Sequence, residues 1–164
     1  GCNCGKYVEI WNDVFMQYNK TAEGKFVELK QKNVDTGMGL ERTAMVLQNK
    51  NSVFETDLFI DIVKKIENLA NKKDLRAIRI IADHLRAAVF ILAEKIPPSN
   101  VEHGYILRRL IRRAIRYGHI IGIKDKFTSQ IAGVVIKKYK KDYPELEQNK
   151  NFILTEIEAE EEKF

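Results

Sequence analysis

The sequence predicts an α+β fold that is mostly α-helical: a short antiparallel strand pair followed by a bundle of about five helices. Residues 7–18 and 25–35 are rich in β-branched and aromatic residues, and the polar stretch 19–24 between them suits a turn. After about residue 54, apolar residues recur every three or four positions, as they do along amphipathic helices. This change of period predicts two regions, 1–53 and 54–164.

The predicted helices follow from spacing and from the residues that interrupt it. Gly37 and Gly39 end the strand pattern, and Pro97 and Pro98 stop the longest helix. The patterns after residue 126 are weaker than those before it. The predicted helices are 40–49, a segment around 58–69, 75–94, 104–117, 127–139 and 146–164.

Composition narrows the class of protein. The chain has 164 residues, is 45% hydrophobic and carries a net charge of +5, which is typical of a globular protein. The longest apolar run, 87–93, is far shorter than a membrane span, and no secretory signal is visible, so a cytoplasmic location without a membrane partner is expected. Because the chain lacks an initiating Met and stops inside a predicted helix, we also expect upstream and downstream parts of the same chain as partners.

The two cysteines, Cys2 and Cys4, form at most half of a metal site. Structural zinc needs four ligands, and the sequence has no second Cys or His pair at suitable spacing. Zinc is therefore not expected in these residues, although ligands from an upstream segment would complete such a site. Two cysteines also exclude a disulfide framework.

Charge is unevenly distributed along the helical region. Residues 101–143 contain eleven Lys and Arg against three Asp and Glu, a net +8, whereas residues 144–164 contain two against seven, a net −5. A basic block beside an acidic tail favours a polyanionic partner. Four of the lysines are better interpreted as solvating a helix end: Lys137, Lys138, Lys140 and Lys141.

The predicted helix 104–117 separates apolar from basic residues. Its apolar stripe consists of Leu107, Leu110, Ile111, Ala114 and Ile115. Its opposite stripe consists of Arg108, Arg109, Arg112, Arg113 and Arg116. Arginine presents a planar fork that suits phosphate oxygens, which favours contact with a nucleic-acid backbone. The alternative is internal pairing with carboxylates of the acidic tail or with Asp83, and some arginines can serve each purpose.

Two smaller features carry polar chemistry. At the junction of strand and helix, Gly37 and Gly39 allow a flat ligand to approach the backbone, and Arg42 in the first helical turn can reach a phosphate. Inside the apolar helix 75–94, Asp83 can orient a nearby arginine and His84 can donate to the backbone or to a ligand. Each signal is weak when taken alone.

Five blocks together resemble the alanyl-tRNA synthetase family of the class II aminoacyl-tRNA synthetases. The block at 34–42 (VDTGMGLER) is similar to the third signature motif of class II enzymes in the form that this family has. All five blocks occur in the same order as in the family, and together they cover the chain from about residue 7 to residue 118. The other four are 9–17 (EIWNDVFMQ), 81–86 (IADHLR), 98–100 (PSN) and 104–113 (GYILRRLIRR).

The resemblance implies roles for residues in the first region. Residues 1–53 would be the C-terminal part of a class II aminoacylation domain. Their strand pair would be part of the β-sheet of that domain. The implied ATP-binding residues are Gly37 and Gly39, which flank the adenosine, Arg42, which contacts the γ-phosphate, and Glu9, a ligand of Mg²⁺ or ATP. The implied alanine-binding residues are Asp35, which binds the amino group, and Asn12 and Val14, which line the pocket.

The resemblance also implies roles in the second region. Residues 54–164 would be a truncated helical domain that recognises the acceptor stem of tRNA-Ala. Asn100 would help to read the G·U wobble pair, and the five arginines of the 104–117 helix would hold the stem backbone. Asp83 would support one of those arginines.

The implied activity is the ATP- and Mg²⁺-dependent joining of L-alanine to tRNA-Ala. The family's first two motifs and its editing domain fall outside these residues, so we expect the chain alone to be inactive. Two alternatives remain: a non-catalytic RNA-binding module derived from a synthetase, and a helical DNA-binding domain that uses the arginine helix. Asp35 and Arg42 argue against the first, and the scarcity of Asn and Gln near the arginines argues against the second.

Overall fold

A computed structural model describes residues 6–164 and divides the chain into two compact units, Gly1–Thr56 and Asp57–Phe164. The predicted fold class is confirmed, because a two-stranded antiparallel sheet precedes a mostly helical region. The elements of the first unit are β1 (Trp11–Lys20), β2 (Phe26–Met38), α1 (Leu40–Leu47) and a 3-10 turn (Val53–Glu55). Those of the second are α2 (Ile60–Leu69), α3 (Leu75–Ala93), α4 (Glu102–Ile120), α5 (Thr128–Tyr139), α6 (Glu145–Gln148) and α7 (Lys150–Lys163).

The strand pair is a long hairpin whose register runs from Trp11 opposite Met38 to Lys20 opposite Phe26. Gly24, with φ of +80°, occupies the turn in a conformation that favours glycine. β1 begins four residues later than the sequence predicted and β2 ends three residues later. The reason is pairing, since β2 ends at Met38 and offers no partner to the residues that precede Trp11.

The second unit has its own apolar core. α3 and α4 pack along each other, and α2, α5, α6 and α7 pack against α3. Asp74 immediately precedes α3, and its carboxylate accepts hydrogen bonds from the backbone N–H groups of Arg76 and Ala77 and so caps the helix. Fully buried side chains at the centre include Ile62, Ile81, Leu85, Leu107, Ile111, Ile131 and Ile157.

One predicted helix is wrong in its continuity. The expected helix 146–164 is two helices, α6 and α7, separated at Asn149. The Asn149 side-chain amide donates to the Ala93 carbonyl oxygen at 2.8 Å, so this residue joins the break to the end of α3. Residues 57–164 therefore hold six α-helices, where about five were expected. Within residues 6–164, no helix is both long and apolar enough to cross a bilayer.

Candidate functional site

The register of the hairpin brings four of the predicted ligand-binding residues to one face. Asn12 lies opposite Gly37, and Val14 lies opposite Asp35. Residues that oppose each other in an antiparallel pair point to the same side, and alternate residues along a strand share a face. These four positions therefore form one patch, and the side chains of Asn12, Val14 and Asp35 are exposed on it.

Two hydrogen bonds fix the backbone and side chains next to this patch. The Thr36 backbone N–H donates to Asp35 Oδ1 at 2.9 Å, which orients the carboxylate and leaves its second oxygen available. On the opposite face, Trp11 Nε1 donates to Thr36 Oγ1 at 2.8 Å. The two strands are thus joined by side chains on one face while the other face presents Asp35.

Arg42 connects α1 to the segment before β1. Its Nη1 donates to the Glu9 backbone oxygen at 2.9 Å, and the Gly39 N–H donates to the Ile10 carbonyl at 3.0 Å. Arg42 and Glu9 are both exposed. The contact with the Glu9 carbonyl positions the guanidinium at the start of α1, and a guanidinium with five N–H donors keeps capacity for an anion.

Gly37 is not required by the fold of the hairpin. A Cβ atom placed on it would have no heavy atom within 4 Å, and its φ lies outside the left-handed region. At Gly39 a Cβ would make only ordinary contacts, at 3.6 Å, with the Arg42 side chain. The described residues therefore give no packing reason for glycine at position 37.

Carboxylates suited to a metal ion are sparse. No group of three or more His, Cys, Asp or Glu side chains is arranged to hold a metal ion in the part of the chain that is described. Mg²⁺ bound to a nucleotide commonly uses one or two carboxylates together with phosphate oxygens, so an exposed Glu9 is compatible with that role. Cys2 and Cys4, considered above as half of a metal site, lie outside the described residues.

The arginine helix α4 buries most of its predicted apolar stripe. Leu107, Ile111, Ala114 and Ile115 are buried, and Leu110 is half-buried. The helix extends two residues before the predicted start and three beyond the predicted end. The apolar stripe therefore faces the core, as the pattern predicted.

The five arginines divide into two rows, and one row is neutralised inside the unit. Arg112 Nε lies 2.6 Å from Oε1 of Glu160 on α7, and Arg108 Nε lies 3.6 Å from the same oxygen. Glu160 is only 3% exposed. Internal pairing, one of the two alternatives for the arginines, applies to these two.

The second row points to solvent. Arg109, Arg113 and Arg116 are exposed, and no carboxylate lies within ion-pair distance of them anywhere in residues 6–164. Arg109 lies 5.7 Å from the ring centre of Tyr105, and Arg113 lies 5.9 Å from that of Tyr117. Both guanidiniums are thus kept near the helix surface by aromatic rings, with their charge available to a partner.

Asn100 lies in the loop that precedes α4, at hydrogen-bond distance from that helix. Arg108 Nη1 donates to its Oδ1, so the same guanidinium that approaches Glu160 also holds the Asn100 amide. The loop is closed by a hydrogen bond from the Ser99 N–H to the Gly104 carbonyl at 3.0 Å. A side chain at Gly104 would overlap Ser99, so glycine is required there by packing.

Asp83 has histidine as its nearest partner. His84 Nδ1 lies 2.8 Å from Asp83 Oδ2, and this hydrogen bond lowers the pKa of Asp83 below its usual value, with smaller contributions from Arg86 and Arg113. Asp83 therefore lies in the field of Arg113, but the closest group that it holds is the imidazole. The side chain of Asp83 is about half exposed.

The lysines near the end of α5 make local ion pairs. Lys138 Nζ lies 3.9 Å from Asp61, and Lys140 Nζ lies 3.2 Å from Glu147. Lys137 and Lys141 are exposed. These contacts agree with the interpretation of the four lysines as a solvated helix end.

Glu160 is the important residue that the sequence reasoning did not single out. The sequence pattern placed this residue only among the carboxylates of the acidic tail, residues 144–164. A signal was present, because Ile153, Ile157 and Glu160 follow the i, i+4, i+7 spacing of one helix face, and both isoleucines are buried. A carboxylate on an apolar stripe that faces an arginine helix indicates a buried ion pair.

Comparison with known proteins identifies the family. The sequence model of the family tRNA synthetases class II (A) matches residues 2–164. The chain is 53% identical to the alanine–tRNA ligase of Borrelia garinii subsp. bavariensis over 99% of its own length and 29% of that protein's. It is 50% identical to the alanine–tRNA ligase of Treponema pallidum over 100% of its own length and 28% of that protein's.

A relative with lower sequence identity is also an alanine–tRNA ligase. The alanine–tRNA ligase of Desulfitobacterium hafniense is 46% identical over the whole chain and 19% of its own length. The chain thus spans less than a third of the length of these curated relatives. With a family match over nearly all of its residues, the chain belongs to the class II tRNA synthetases (A).

Proposed function

We propose that this chain takes part in the joining of L-alanine to tRNA-Ala, with one part of the ATP and alanine site in its first unit and an acceptor-stem surface in its second. The observation that carries the proposal is the hairpin register, which brings Asn12, Val14, Asp35 and Gly37 to one face. That arrangement combines a carboxylate, an amide, a small apolar side chain and an open stretch of backbone. A small amino acid beside a nucleotide requires these groups.

In the proposed alanine site, Asp35 binds the substrate ammonium. The free carboxylate oxygen offers a charge partner, which an ammonium removed from water requires. Asn12 and Val14 lie on the same face, where they would line the pocket for the small amino acid. The alanine carboxylate attacks the α-phosphorus of ATP, pyrophosphate leaves, and the product is alanyl-adenylate. A hydroxyl of the tRNA 3′ end then attacks the alanyl carbonyl and AMP leaves.

In the proposed ATP site, the open backbone at Gly37 supports the close approach of the adenosine, since nothing in the described residues fills that space. Gly39 would flank the same group. Arg42 would contact the γ-phosphate, and Glu9 would contribute a carboxylate to the Mg²⁺ that accompanies the nucleotide. Mg²⁺ supplies charge neutralisation for the phosphate oxygens, while these residues orient the nucleotide.

In the proposed RNA site, the exposed row Arg109, Arg113 and Arg116 contacts the acceptor-stem backbone. Arg108 and Arg112 contribute less charge because Glu160 neutralises them in part. Asn100, held by Arg108, reads the wobble pair through the wide minor groove of the RNA helix. Asp83 acts on this surface through the field that it exerts on Arg113.

The test is a binding comparison of the 164-residue chain with three ligands: a tRNA-Ala acceptor hairpin, its G·U-to-G·C variant and a DNA duplex. We expect the wobble hairpin to bind most tightly, by about tenfold over the G·C variant, because removing a polar interaction at a base edge costs about 1–3 kcal/mol. Equal affinity for both hairpins favours a generic RNA-binding module, and tighter binding to the duplex favours a DNA-binding domain. Either result would contradict the proposal.

A further inference from the structure

We propose that the groove between His84 and the arginine face of α4 is a binding site for a phosphate group, with the His84 imidazole as one of its ligands. The groove has a volume of about 470 Å³ and is lined by His84, Tyr105, Arg108, Arg109, Arg112 and Arg113, among others. This volume lies in the usual range of ligand pockets, about 300–1,000 Å³. The proposal rests on the proposed RNA surface for its location and adds a discrete site to it.

The first support is a buried nitrogen without a partner. His84 is 9% exposed, and its Nε2 is buried with no hydrogen-bond partner among the described residues. A buried polar atom that lacks a partner is costly, and such atoms commonly mark a place where a ligand or ion completes the set. The same imidazole lines the groove.

The second support is the fixed orientation of the ring. Nδ1 lies 2.8 Å from Asp83 Oδ2, so an ionised Asp83 requires a hydrogen on Nδ1. Nε2 is then the remaining ring nitrogen, and a hydrogen on it would be donated to an anion in the groove. This is the arrangement in which a carboxylate and an anion contact the two nitrogens of one histidine.

The third support is the charge of the groove. Four guanidiniums line it, and Glu160 is the one carboxylate that pairs with any of them in residues 6–164. Arg108 Nε is buried, and at 3.6 Å from Glu160 it is too distant for a hydrogen bond, so a second donor also lacks a partner. Excess positive charge with two unsatisfied donors requires a ligand rich in acceptor oxygens, which describes a phosphate.

The experiment follows the imidazole signals of the 164-residue chain by NMR at a pH of about 6, where a histidine can change its charge. Inorganic phosphate is titrated against sodium chloride at equal ionic strength. We expect a saturable shift of the His84 signals with phosphate only. His103 and His119, the other two histidines of the sequence, serve as internal controls and should not shift.

Variants separate a local contact from general electrostatics. H84F retains a ring but removes both nitrogens, and we expect it to weaken phosphate binding about tenfold, as read from the backbone amides of α4. H84Q retains a donor and should recover part of the affinity. R113Q should weaken binding, whereas R76Q, which removes the same charge from an exposed position on α3 outside the groove, should not.

The source of the phosphate is decided by competition. If the acceptor hairpin displaces inorganic phosphate from His84, the ligand is the RNA backbone; if pyrophosphate displaces it and the hairpin does not, the ligand is a free phosphate compound. Loss of hairpin binding with a retained phosphate shift would contradict the proposed function but not this site. No phosphate-specific shift at His84, or equal effects of R113Q and R76Q, would overturn the site.

Discussion

Arg112 Nε lies 2.6 Å from Oε1 of Glu160, a carboxylate that is 3% exposed, so an ion pair joins α4 to α7 inside the helical unit. A buried carboxylate is stable only when it is paired, and Arg108 provides a second cation at 3.6 Å. The arginines of α4 therefore have two different roles. One row of guanidiniums holds the unit together, and the other remains available to a partner.

Removing the buried charge should destabilise the helical unit. Glu160→Gln leaves Arg112 without its counter-ion, and breaking a buried pair costs about 3–5 kcal/mol when both partners are buried. Because the Arg112 side chain is 37% exposed, water compensates in part, and we expect a loss of about 2 kcal/mol in the free energy of unfolding. Urea denaturation measures this loss.

The control for this substitution is Glu162→Gln, two residues away on α7. Glu162 pairs with Lys126, and both side chains are about half exposed, so little change in the urea midpoint is expected. Equal midpoints for the Glu160 and Glu162 variants would show that the buried pair contributes nothing to stability.

The exposed arginines should affect RNA binding without affecting stability. Each of the substitutions Arg109→Gln, Arg113→Gln and Arg116→Gln removes one cation that we assign to the stem backbone. The slope of log affinity against log salt concentration should fall by about 0.7–0.9 for each phosphate that is no longer neutralised by an arginine. Arg112→Gln should instead lower the urea midpoint, because it removes the partner of Glu160.

The measurement is hairpin binding at several salt concentrations together with a denaturation curve for each variant. Arg76→Gln, on the exposed surface of α3, is the charge-matched control and should leave the slope unchanged. If the exposed-row variants lose stability and keep their salt slope, the division of the arginines into two rows would be wrong.

Alanine should destabilise the chain at Gly104 but not at Gly37. Gly104→Ala places a Cβ atom against Ser99 and 2.6 Å from the Pro97 carbonyl oxygen, so we expect a loss of about 1–3 kcal/mol in stability. Gly37→Ala meets open space and should leave the stability of the chain unchanged. Denaturation of the two variants tests both expectations.

The function of Gly37 requires a separate measurement. In an active synthetase that has glycine at the position corresponding to Gly37, alanine there should weaken ATP binding about tenfold, because a methyl group would stand between the backbone and a flat ligand. Alanine-dependent exchange of pyrophosphate into ATP, measured over a range of ATP concentrations, reports this effect. An unchanged KM for ATP would remove the proposed role of Gly37.

The 164-residue chain itself should not catalyse this exchange. The proposed ATP site includes no residue of this chain for the α-phosphate, and activation of alanine depends on charge stabilisation at that phosphate. Saturating ATP, alanine and Mg²⁺ should give no alanine-dependent signal above the protein-free control. Turnover that disappears in an Arg42→Gln variant would contradict the expectation.

Local patterns were enough to predict much of the fold. The alternation in the strands, the i, i+4 spacing of α3 and α4, and the glycines before α1 are properties of neighbouring residues, and each predicted its element to within a few residues. Asn149 was missed because its helix break depends on a hydrogen bond to Ala93, which is distant in sequence.

The candidate site was predictable to a similar extent. The strand pattern predicts that the two segments pair. Which residues face each other, such as Asn12 and Gly37, depends on the register, and the register depends on where the turn closes. The division of the arginines could not be read from α4, since it depends on how α7 packs across that helix. Contacts between remote helices are set by three-dimensional packing, and periodicity along one helix gives only the face on which they occur.

The pKa of Asp83 gives a dependence of stability on pH. The hydrogen bond from His84 lowers this pKa below its ordinary value of 3.8, with smaller effects from Arg86 and Arg113. A carboxyl group whose pKa is lower in the folded state stabilises that state when it is ionised. The contribution of Asp83 to the stability of the folded state is therefore complete above about pH 5. It is lost as the pH falls below 3.8.

Asp83→Asn should remove this dependence. We expect the variant to be less stable than the original chain at pH 5, by no more than about 1 kcal/mol because the carboxylate is half exposed. The difference should shrink as the pH falls below 3.8, because the Asp83 carboxyl loses its charge as the pH approaches its lowered pKa. Urea denaturation at pH 5, 4 and 3 measures it, with Asp125→Asn as an exposed control. A difference that stays constant or grows as the pH falls would mean that the His84 hydrogen bond does not favour the ionised form of Asp83.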